Sequence, residues 1–398
     1  MPTFRDQLVS PRRILLANPA GLGDIIHTLP VAALLKRSYP DAQIDFLASA
    51  HAESLFTAVP YVHEVFSVPV YPRPKSRLEL NVQRLKTAWR VRGAGYDAII
   101  NFKSIESTAV HVLLSGARRK FAVRSMCRRL ERRWMYDAIV DRRWQNQPCW
   151  RYLCEALDEA GFAAADAALK PALLDLSRES LPPELQGRRY FHVSVFASKV
   201  SRQLAPEETR RLLLLLLERY PEHLLVLSCS AAPREVEEIR TLLPAHAGAR
   251  VQLYPGDLSL ARLAAVLAGA DAHLGPDTGS LHLAWLAGAR TVSWYLNHET
   301  LTAWAPYGPQ HRVLLSLREQ ARDGGTGKAP VQHPIRAIRA EHVVEALDEL
   351  LHATLPPREQ WWGSDDIVFR MVCGSSGCRE AAAVEPEPAG VGAWLAAS

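Results

Sequence analysis

The stretch Ile14-Leu15-Leu16-Ala17-Asn18-Pro19-Ala20-Gly21-Leu22-Gly23-Asp24-Ile25-Ile26-His27 decides the fold. Its opening run, Ile14 to Asn18, has the length and composition of a buried strand. Gly21 and Gly23 follow in a turn where glycine lets the backbone bend tightly and approach a ligand. Ile25 to Ser38 then has helical character, with Pro30 either kinking the helix or starting it anew after Thr28. The turn is not a dinucleotide fingerprint, because its Gly-x-Gly is followed by Asp24-Ile25-Ile26 with no third glycine. Two readings of Asp24 stand. It is an N-cap that satisfies backbone N–H groups, or a carboxylate at the mouth of a cleft that takes a proton from a substrate hydroxyl.

Outward from this stretch the same alternation repeats. Gln43 to Ala48, Val65 to Val68 and Asp97 to Phe102 read as further strands, with a helix over Arg77 to Arg92. A proline-rich segment from Lys170 to Arg189 reads as a linker, after which the pattern restarts with a strand at Tyr190 to Val195. Helices at Pro206–Tyr220, Pro233–Leu243, Leu260–Ala268 and Ser280–Ala287 then alternate with strands at Leu224–Ser228, Val251–Tyr254, Ala272–Gly275 and Thr291–Tyr295. Strands interleaved with helices imply parallel βαβ units, so the class is α/β with two Rossmann-like halves. The expected domains are 1–180 and 186–355, closed by a helix over Arg339 to Ala353. An extension at 356–398 follows, whose tail from about Gly374 has a disordered composition. Ligands of such sheets bind beyond the carboxyl ends of the strands, so a cleft between the halves is the expected site.

Length and composition agree. A chain of 398 residues fits two or three domains, and 48% hydrophobic with 22% charged residues is ordinary for a globular protein. The charge is uneven. Residues 1–180 hold 26 Lys and Arg against 18 Asp and Glu, a balance of +8, while 181–398 hold 21 against 24, or −3. That asymmetry points to an anionic partner for the first half. The basic start has no apolar run behind it, and the longest leucine run, Leu212 to Leu217, is too short to span a bilayer; a soluble, cytoplasmic protein is expected. Cys149/Cys154 and Cys373/Cys378 are both C-x4-C pairs, read as reduced thiols in preference to a shared zinc site.

Three further stretches bear on chemistry. Gly275-Pro276-Asp277-Thr278-Gly279-Ser280-Leu281-His282 joins a strand to a helix, so Thr278, Gly279 and Ser280 offer N–H groups at a helix N-terminus, an anion site that suits a diphosphate. Asp277 would oppose phosphate there unless it binds sugar hydroxyls instead; a capped helix with a structural His282 is the other reading. Ser198-Lys199-Val200-Ser201-Arg202 follows a strand end, where hydroxyls and a guanidinium grip phosphate oxygens. Finally, ten Lys and Arg lie between Arg118 and Arg143, interleaved with aromatics; they read as a contact for nucleic acid or acidic glycolipid, or as a solvated face.

Together these pieces resemble the heptosyltransferases of glycosyltransferase family 9. The family's first loop, Gly-x-Gly-Asp with an apolar pair and His/Thr-x-Pro, resembles Gly21 to Pro30, and its donor motif resembles Asp277-Thr278-Gly279-Ser280-Leu281-His282-Leu283-Ala284. The resemblance spans roughly Arg12 to Leu350 and implies a GT-B architecture, with acceptor bound by the first domain and nucleotide sugar by the second. It makes Asp24 the general base of an inverting transfer. Thr278, Gly279 and His282 would hold the donor diphosphate and Asp277 the donor sugar, with Ser198 and Arg202 on phosphate. Glu235 would bind the ribose and Leu258 pack on adenine. Gly21 and Gly23, with Arg132 and Arg133, would meet the acceptor.

The donor implied is ADP-heptose and the acceptor the anionic lipopolysaccharide core, reached by peripheral contact with the inner membrane. No D-x-D motif is present, and no metal or other cofactor is expected. The alternative is a transferase of the same family with another nucleotide sugar or another acceptor, such as a protein or O-chain. Nucleic acid is not an expected partner, since binding it would leave Asp24 and Asp277-Thr278-Gly279 without a role.

Overall fold

The computed structural model describes residues 8, 10–69, 76–102, 106–123, 133–140, 147–162, 174–244, 247–296, 301–316, 335, 337–356 and 367–372. The chain separates into two compact units, Met1–Glu179 with Ser259–Ala261, and Ser180–Leu258 with Arg262–Ser398.

In the first unit the elements run β1 (Arg13–Ala17), α1 (Leu22–Ser38), β2 (Gln43–Ser49), a 3-10 stretch (Ala50–Ala58), β3 (Val65–Val68), α2 (Arg77–Gly93), β4 (Ala98–Asn101), α3 (Glu106–Leu114), β5 (Arg119–Val123), β6 (Ala138–Val140) and α4 (Cys149–Glu159). The strands are parallel, in the order β3-β2-β1-β4-β5-β6. Helices cover both faces, which is why β1 and β4 are apolar almost without interruption rather than alternating. On one face Leu15, Leu47, Phe66 and Ile99 pack with Val91 of α2 and Val112 of α3.

Pro30 lies inside α1, which is one helix from Leu22 to Ser38 with no restart after Thr28. Asp45 of β2 is fully buried. It accepts from Arg13 Nη2 at 2.7 Å, Tyr96 Oη at 2.7 Å and the Glu64 N–H at 3.0 Å. Burial and the adjacent Asp45 carboxylate push the Tyr96 hydroxyl well above the usual phenol range, so it stays a donor.

The second unit repeats the plan. Its elements are β7 (Tyr190–Val193), α5 (Pro206–Arg219), β8 (Leu224–Cys229), α6 (Pro233–Leu242), β9 (Val251–Pro255), α7 (Leu260–Gly269), β10 (Ala272–Pro276), α8 (Gly279–Leu286), β11 (Thr291–Leu296), α9 (Leu301–Trp304), β12 (His311–Ser316), α10 (Ala340–His352) and β13 (Phe369–Val372). The strand order, β9-β8-β7-β10-β11-β12-β13, is that of the first sheet with one strand added. Leu212, Leu213, Leu216 and Leu217 of α5 and Val343, Leu347 and Leu350 of α10 cover one face, over Phe191, Val193, Leu225, Leu274 and Val292. The spacing of these residues, three and four apart, is the reason both segments fold as helices against the sheet.

Two differences from the sequence expectation concern the edges. The segment expected as an extension from residue 356 contributes β13, whose Val313↔Phe369 to Ser316↔Val372 register with β12 makes it the outer strand of the sheet. Within the basic stretch, Arg119 and Lys120 belong to β5, with Asp137 accepting from the Lys120 N–H at 2.7 Å.

Candidate functional site

In each sheet the strand order reverses once, between β1 and β4 in the first and between β7 and β10 in the second. Connections leave those neighbouring strands toward opposite faces, so a crevice opens at their carboxyl ends. The loops singled out in the sequence lie there. Asn18–Gly21 follows β1, Ser194–Gln203 follows β7, and Asp277-Thr278 follows β10.

The first loop places Asp24 inside α1, as its third residue. Gly21 is the N-cap, with φ −64° and ψ 161° and no side-chain cap bond. This corrects both expectations for the turn. Asp24 is not the N-cap, and Gly21 has an extended backbone that any residue adopts. A Cβ on Gly21 would sit 3.4 Å from Asp24 Oδ2, an ordinary van der Waals contact. The Asp24 carbonyl is held by Asn18 Nδ2 at 3.0 Å and Thr28 Oγ1 at 2.8 Å, and Asn18 also donates to Thr28 Oγ1 at 2.7 Å. This lock fixes the first turn of α1 against the end of β1. Asp24 is half-buried, and its carboxylate lies at the positive end of the helix. Gly23 is the second helical residue.

The second loop is organised around Asp277, which is buried. Arg202 reaches over from the loop after β7 and makes two contacts, to Asp277 Oδ2 at 2.9 Å and to the Asp277 carbonyl at 3.2 Å. His282 Nε2 lies 3.4 Å from Asp277 Oδ1, with Trp304 edge-on to its ring at 5.8 Å. Trp294 of β11 donates Nε1–H to the Arg202 carbonyl at 3.2 Å and so holds the arginine's backbone in place. Arg202 is thus paired with Asp277 through Nη1. The pairing removes the electrostatic objection to an anion beside Asp277, because the carboxylate is compensated within the loop.

Thr278 is the N-cap of α8 but makes no cap bond with its side chain. Its hydroxyl instead meets Ser280 Oγ at 2.8 Å, and Ser280 meets Ser194 Oγ at 2.8 Å. The hydroxyl that joins β7 to the start of α8 is therefore that of Ser194, a residue the sequence reading passed over, while Ser198 is exposed four residues on. Glu235, in the first turn of α6, accepts from the Ser230 N–H at 2.9 Å and its hydroxyl at 2.7 Å. Leu258 is half-buried against the cluster of Tyr190, Leu224 and Val226. Arg133 falls in a 3-10 turn, Arg133–Met135, and Arg132 lies outside the described residues.

A row of polar side chains runs across the second sheet beneath the loop. His192, His273, Thr291 and His311 share one register across β7, β10, β11 and β12, all fully buried. His192 bonds His273 between Nδ1 atoms at 2.9 Å and Ser228 Oγ through Nε2 at 3.0 Å, and Thr291 bonds His311 at 2.8 Å. Burial lowers His192 and His311 to about 3 and His273 well below its ordinary value, the last reinforced by His192. All three are neutral near pH 7 and serve as polar packing, not as acids or bases. The row abuts the loop at Gly275, where a Cβ would lie 3.0 Å from His273 Nε2 and 3.1 Å from Ser194 Cβ.

Among the described residues, Asp45, His63 and Glu64 form a group with metal-ligand spacing. The Arg13 guanidinium already sits there, 2.7 Å from Asp45 and 3.5 Å from Glu64, so a cation is in place without a metal. Of the C-x4-C pairs, Cys149 and Cys154 are buried on α4 and form no disulfide, with burial pushing the Cys154 thiol far above the usual range. Cys373 and Cys378 lie outside the described residues.

Each of the two Rossmann-like units thus carries an acid where its switch-point strand gives way to a helix, Asp24 in the first turn of α1 and Asp277 just before α8. The family model for glycosyltransferase family 9 (heptosyltransferase) matches residues 84–328, and the chain belongs to that family. It is accordingly a glycosyltransferase. The chain is 21% identical over 343 residues to the lipopolysaccharide core heptosyltransferase OpsX of Haemophilus influenzae, covering 81% of this chain and 88% of that protein. Among solved structures, Escherichia coli heptosyltransferase WaaC with ADP superposes with a TM-score of 0.68 at 20% identity, over 85% of this chain and 99% of that one. Escherichia coli ADP-heptose lipopolysaccharide heptosyltransferase II gives 0.66 at 18%, over 85% and 98%. These likenesses establish the fold as the GT-B class.

Proposed function

We propose that the chain transfers a heptose from ADP-heptose to a hydroxyl of the lipopolysaccharide core, with inversion at the anomeric carbon. The observation that supports this most is the division of labour between the two switch points. The loop after β1 offers a half-buried carboxylate, Asp24, and the loop after β10 offers a helix N-terminus beside a charge-compensated acid.

In this reading Asp24 accepts the proton of the acceptor hydroxyl as its oxygen attacks the anomeric carbon. The carbon–oxygen bond to the diphosphate breaks on the opposite side, and ADP leaves with the electron pair. Thr278, Gly279 and the α8 N-terminus receive the diphosphate, with His282 beside them, so the leaving charge is met by N–H groups and the reaction needs no metal. Asp277, fixed by Arg202, binds donor sugar hydroxyls. Glu235 and Leu258 bind the ribose and the adenine. Ser198 contacts phosphate from the neighbouring loop, and Gly21, Gly23, Arg132 and Arg133 meet the acceptor at a membrane surface. The names of OpsX and of the two Escherichia coli enzymes support the choice of heptose and of a lipopolysaccharide acceptor.

Release of ADP and UDP from a panel of nucleotide sugars, with truncated lipopolysaccharides as acceptors and EDTA present, tests the proposal. ADP release from ADP-heptose that depends on the acceptor is expected. Turnover of a UDP-sugar in its place, or a strict requirement for a divalent ion, would overturn it.

A further inference from the structure

Helix α2 has two apolar faces, and only one of them is used by the fold. Thr87, Ala88 and Val91 are buried toward the sheet. On the other side Leu78, Val82, Leu85 and Trp89 are between 41% and 73% exposed. Their spacing of four, three and four residues keeps them within a narrow sector at about 100° per residue, so they form one stripe along the helix. Single exposed apolar residues are ordinary, but an aligned row ending in a tryptophan is not. Exposed Lys86 and Arg92 border the stripe on its two sides. The helix as a whole holds Arg77, Arg84, Lys86, Arg90 and Arg92 against Glu79, a balance of 5 − 1 = +4, which falls to +3 once the pairing of Arg90 with Glu64 at 3.3 Å is counted.

We propose that α2 is a membrane-docking helix that lies in the plane of an anionic lipid surface, with Leu78, Val82, Leu85 and Trp89 inserted among the headgroups and acyl chains. An outward apolar stripe with tryptophan and cationic flanks is the pattern of helices that lie in a bilayer interface. The cations decide the partner: a neutral protein face would gain nothing from them, whereas anionic headgroups attract each one near the surface.

Topology sets the orientation. Ala94, just past the end of α2, accepts from Arg13 Nη1 at 3.0 Å at the amino end of β1. The Leu78 end of the stripe therefore points toward the carboxyl edge of the sheet, the edge that carries Gly21 and Asp24. A surface under α2 would bring lipid-anchored hydroxyls to that edge. The docking surface itself rests on the exposure and charge of α2; the approach of acceptor hydroxyls to the Asp24 edge rests on the proposed heptose transfer.

Flotation with vesicles of phosphatidylethanolamine and phosphatidylglycerol, and separately of phosphatidylcholine, tests the proposal on the full chain. The wild type is expected to float with the anionic vesicles at 0.1 M salt and to be released at 0.5 M, with little binding to phosphatidylcholine. The double variant Leu85→Gln/Trp89→Gln, whose positions are exposed, should lose at least tenfold in vesicle affinity, and Lys86→Glu about threefold. Transfer to a delipidated, soluble acceptor should be unchanged in both. Equal vesicle binding by wild type and double variant overturns the proposal. So does a wild-type dimer, dissolved by the double variant, that binds no vesicles, because the stripe would then be a self-association face. Vesicle binding without transfer from ADP-heptose would leave the docking surface standing and remove the proposed heptose transfer alone.

Discussion

The loop after β1 and the loop after β10 share a plan, strand then turn then helix, and handle their acid in opposite ways. Asp24 sits inside the first turn of α1, where the backbone is pinned through its carbonyl by Asn18 and Thr28. Asp277 sits before α8 and is gripped through its side chain by Arg202, with His282 alongside. One loop pins the main chain of its acid. The other compensates a carboxylate so that an anion can lie next to it. Identical strand order in the two sheets therefore does not make the two loops interchangeable.

That contrast can be broken by mutation, and the largest effect is expected at Asp24. Asp24→Asn keeps the shape and removes the base, so kcat should fall by about 1000-fold, within the range general bases supply. Steady-state turnover above a tenth of wild type would mean the loop after β1 has no chemical role. Asp277→Ala should act on structure as well as activity. It leaves Arg202 without its partner next to the positive end of α8, and the expected cost is about 2 kcal/mol of stability, read as a lower denaturation midpoint. The same variant should lose about 100-fold in kcat/KM. Asp24→Asn should show no comparable loss of stability, and equal destabilisation by both would erase the distinction drawn between the loops.

Gly21→Ala sharpens the account of the first loop. The added methyl would lie 3.4 Å from Asp24 Oδ2, at ordinary van der Waals contact, so kcat within about twofold of wild type and little change in the thermal midpoint are expected, and a tenfold fall in kcat would show that the loop needs glycine beside the carboxylate. Proline scanning would not separate space from conformation here; the alanine variant does, because the backbone of Gly21 is already extended.

The two units also differ in their buried polar centres, and pH reads that difference. The first is charged, Asp45 held by Arg13 and Tyr96, and the second is the neutral histidine row. Folded-state values of the histidines lie below their ordinary one of about 6.5, so the unfolded chain takes up protons first as pH falls. Their contribution is complete above pH 6.5 and declines from there toward about 3, by at most about 1.4 kcal/mol per pH unit for each residue. Denaturation between pH 7 and 5 should steepen accordingly, and His192→Gln should flatten it. A slope unaltered by that variant would assign the loss to other groups.

Much of this was legible in the sequence because parallel strands covered on both faces are written as apolar runs. Ile14 to Asn18 and Leu224 to Ser228 fall within a residue of β1 and β8. Glycine and the acid after β1 and β10 marked the loops. What escaped was of two kinds. β5 begins Arg119-Lys120, which reads as part of a basic surface, and β6 has three residues, too few for periodicity to register. The contacts that define the second loop are between residues far apart in the chain. Arg202 and Asp277 are 75 positions apart and Ser194 and Ser280 are 86, and no local pattern announces either pair. The row of three histidines and Thr291 is scattered over four strands for the same reason, while the exposed stripe on α2 was hidden by a helix whose inward face is apolar too.

The most direct test of the division between the two loops is the affinity of ADP-heptose for Asp24→Asn in the absence of acceptor, measured by calorimetric titration beside the wild type. The account predicts a dissociation constant within about twofold of wild type, since Asp24 serves the acceptor and the donor is held from the second unit. A loss of tenfold or more would contradict it and place Asp24 on the donor.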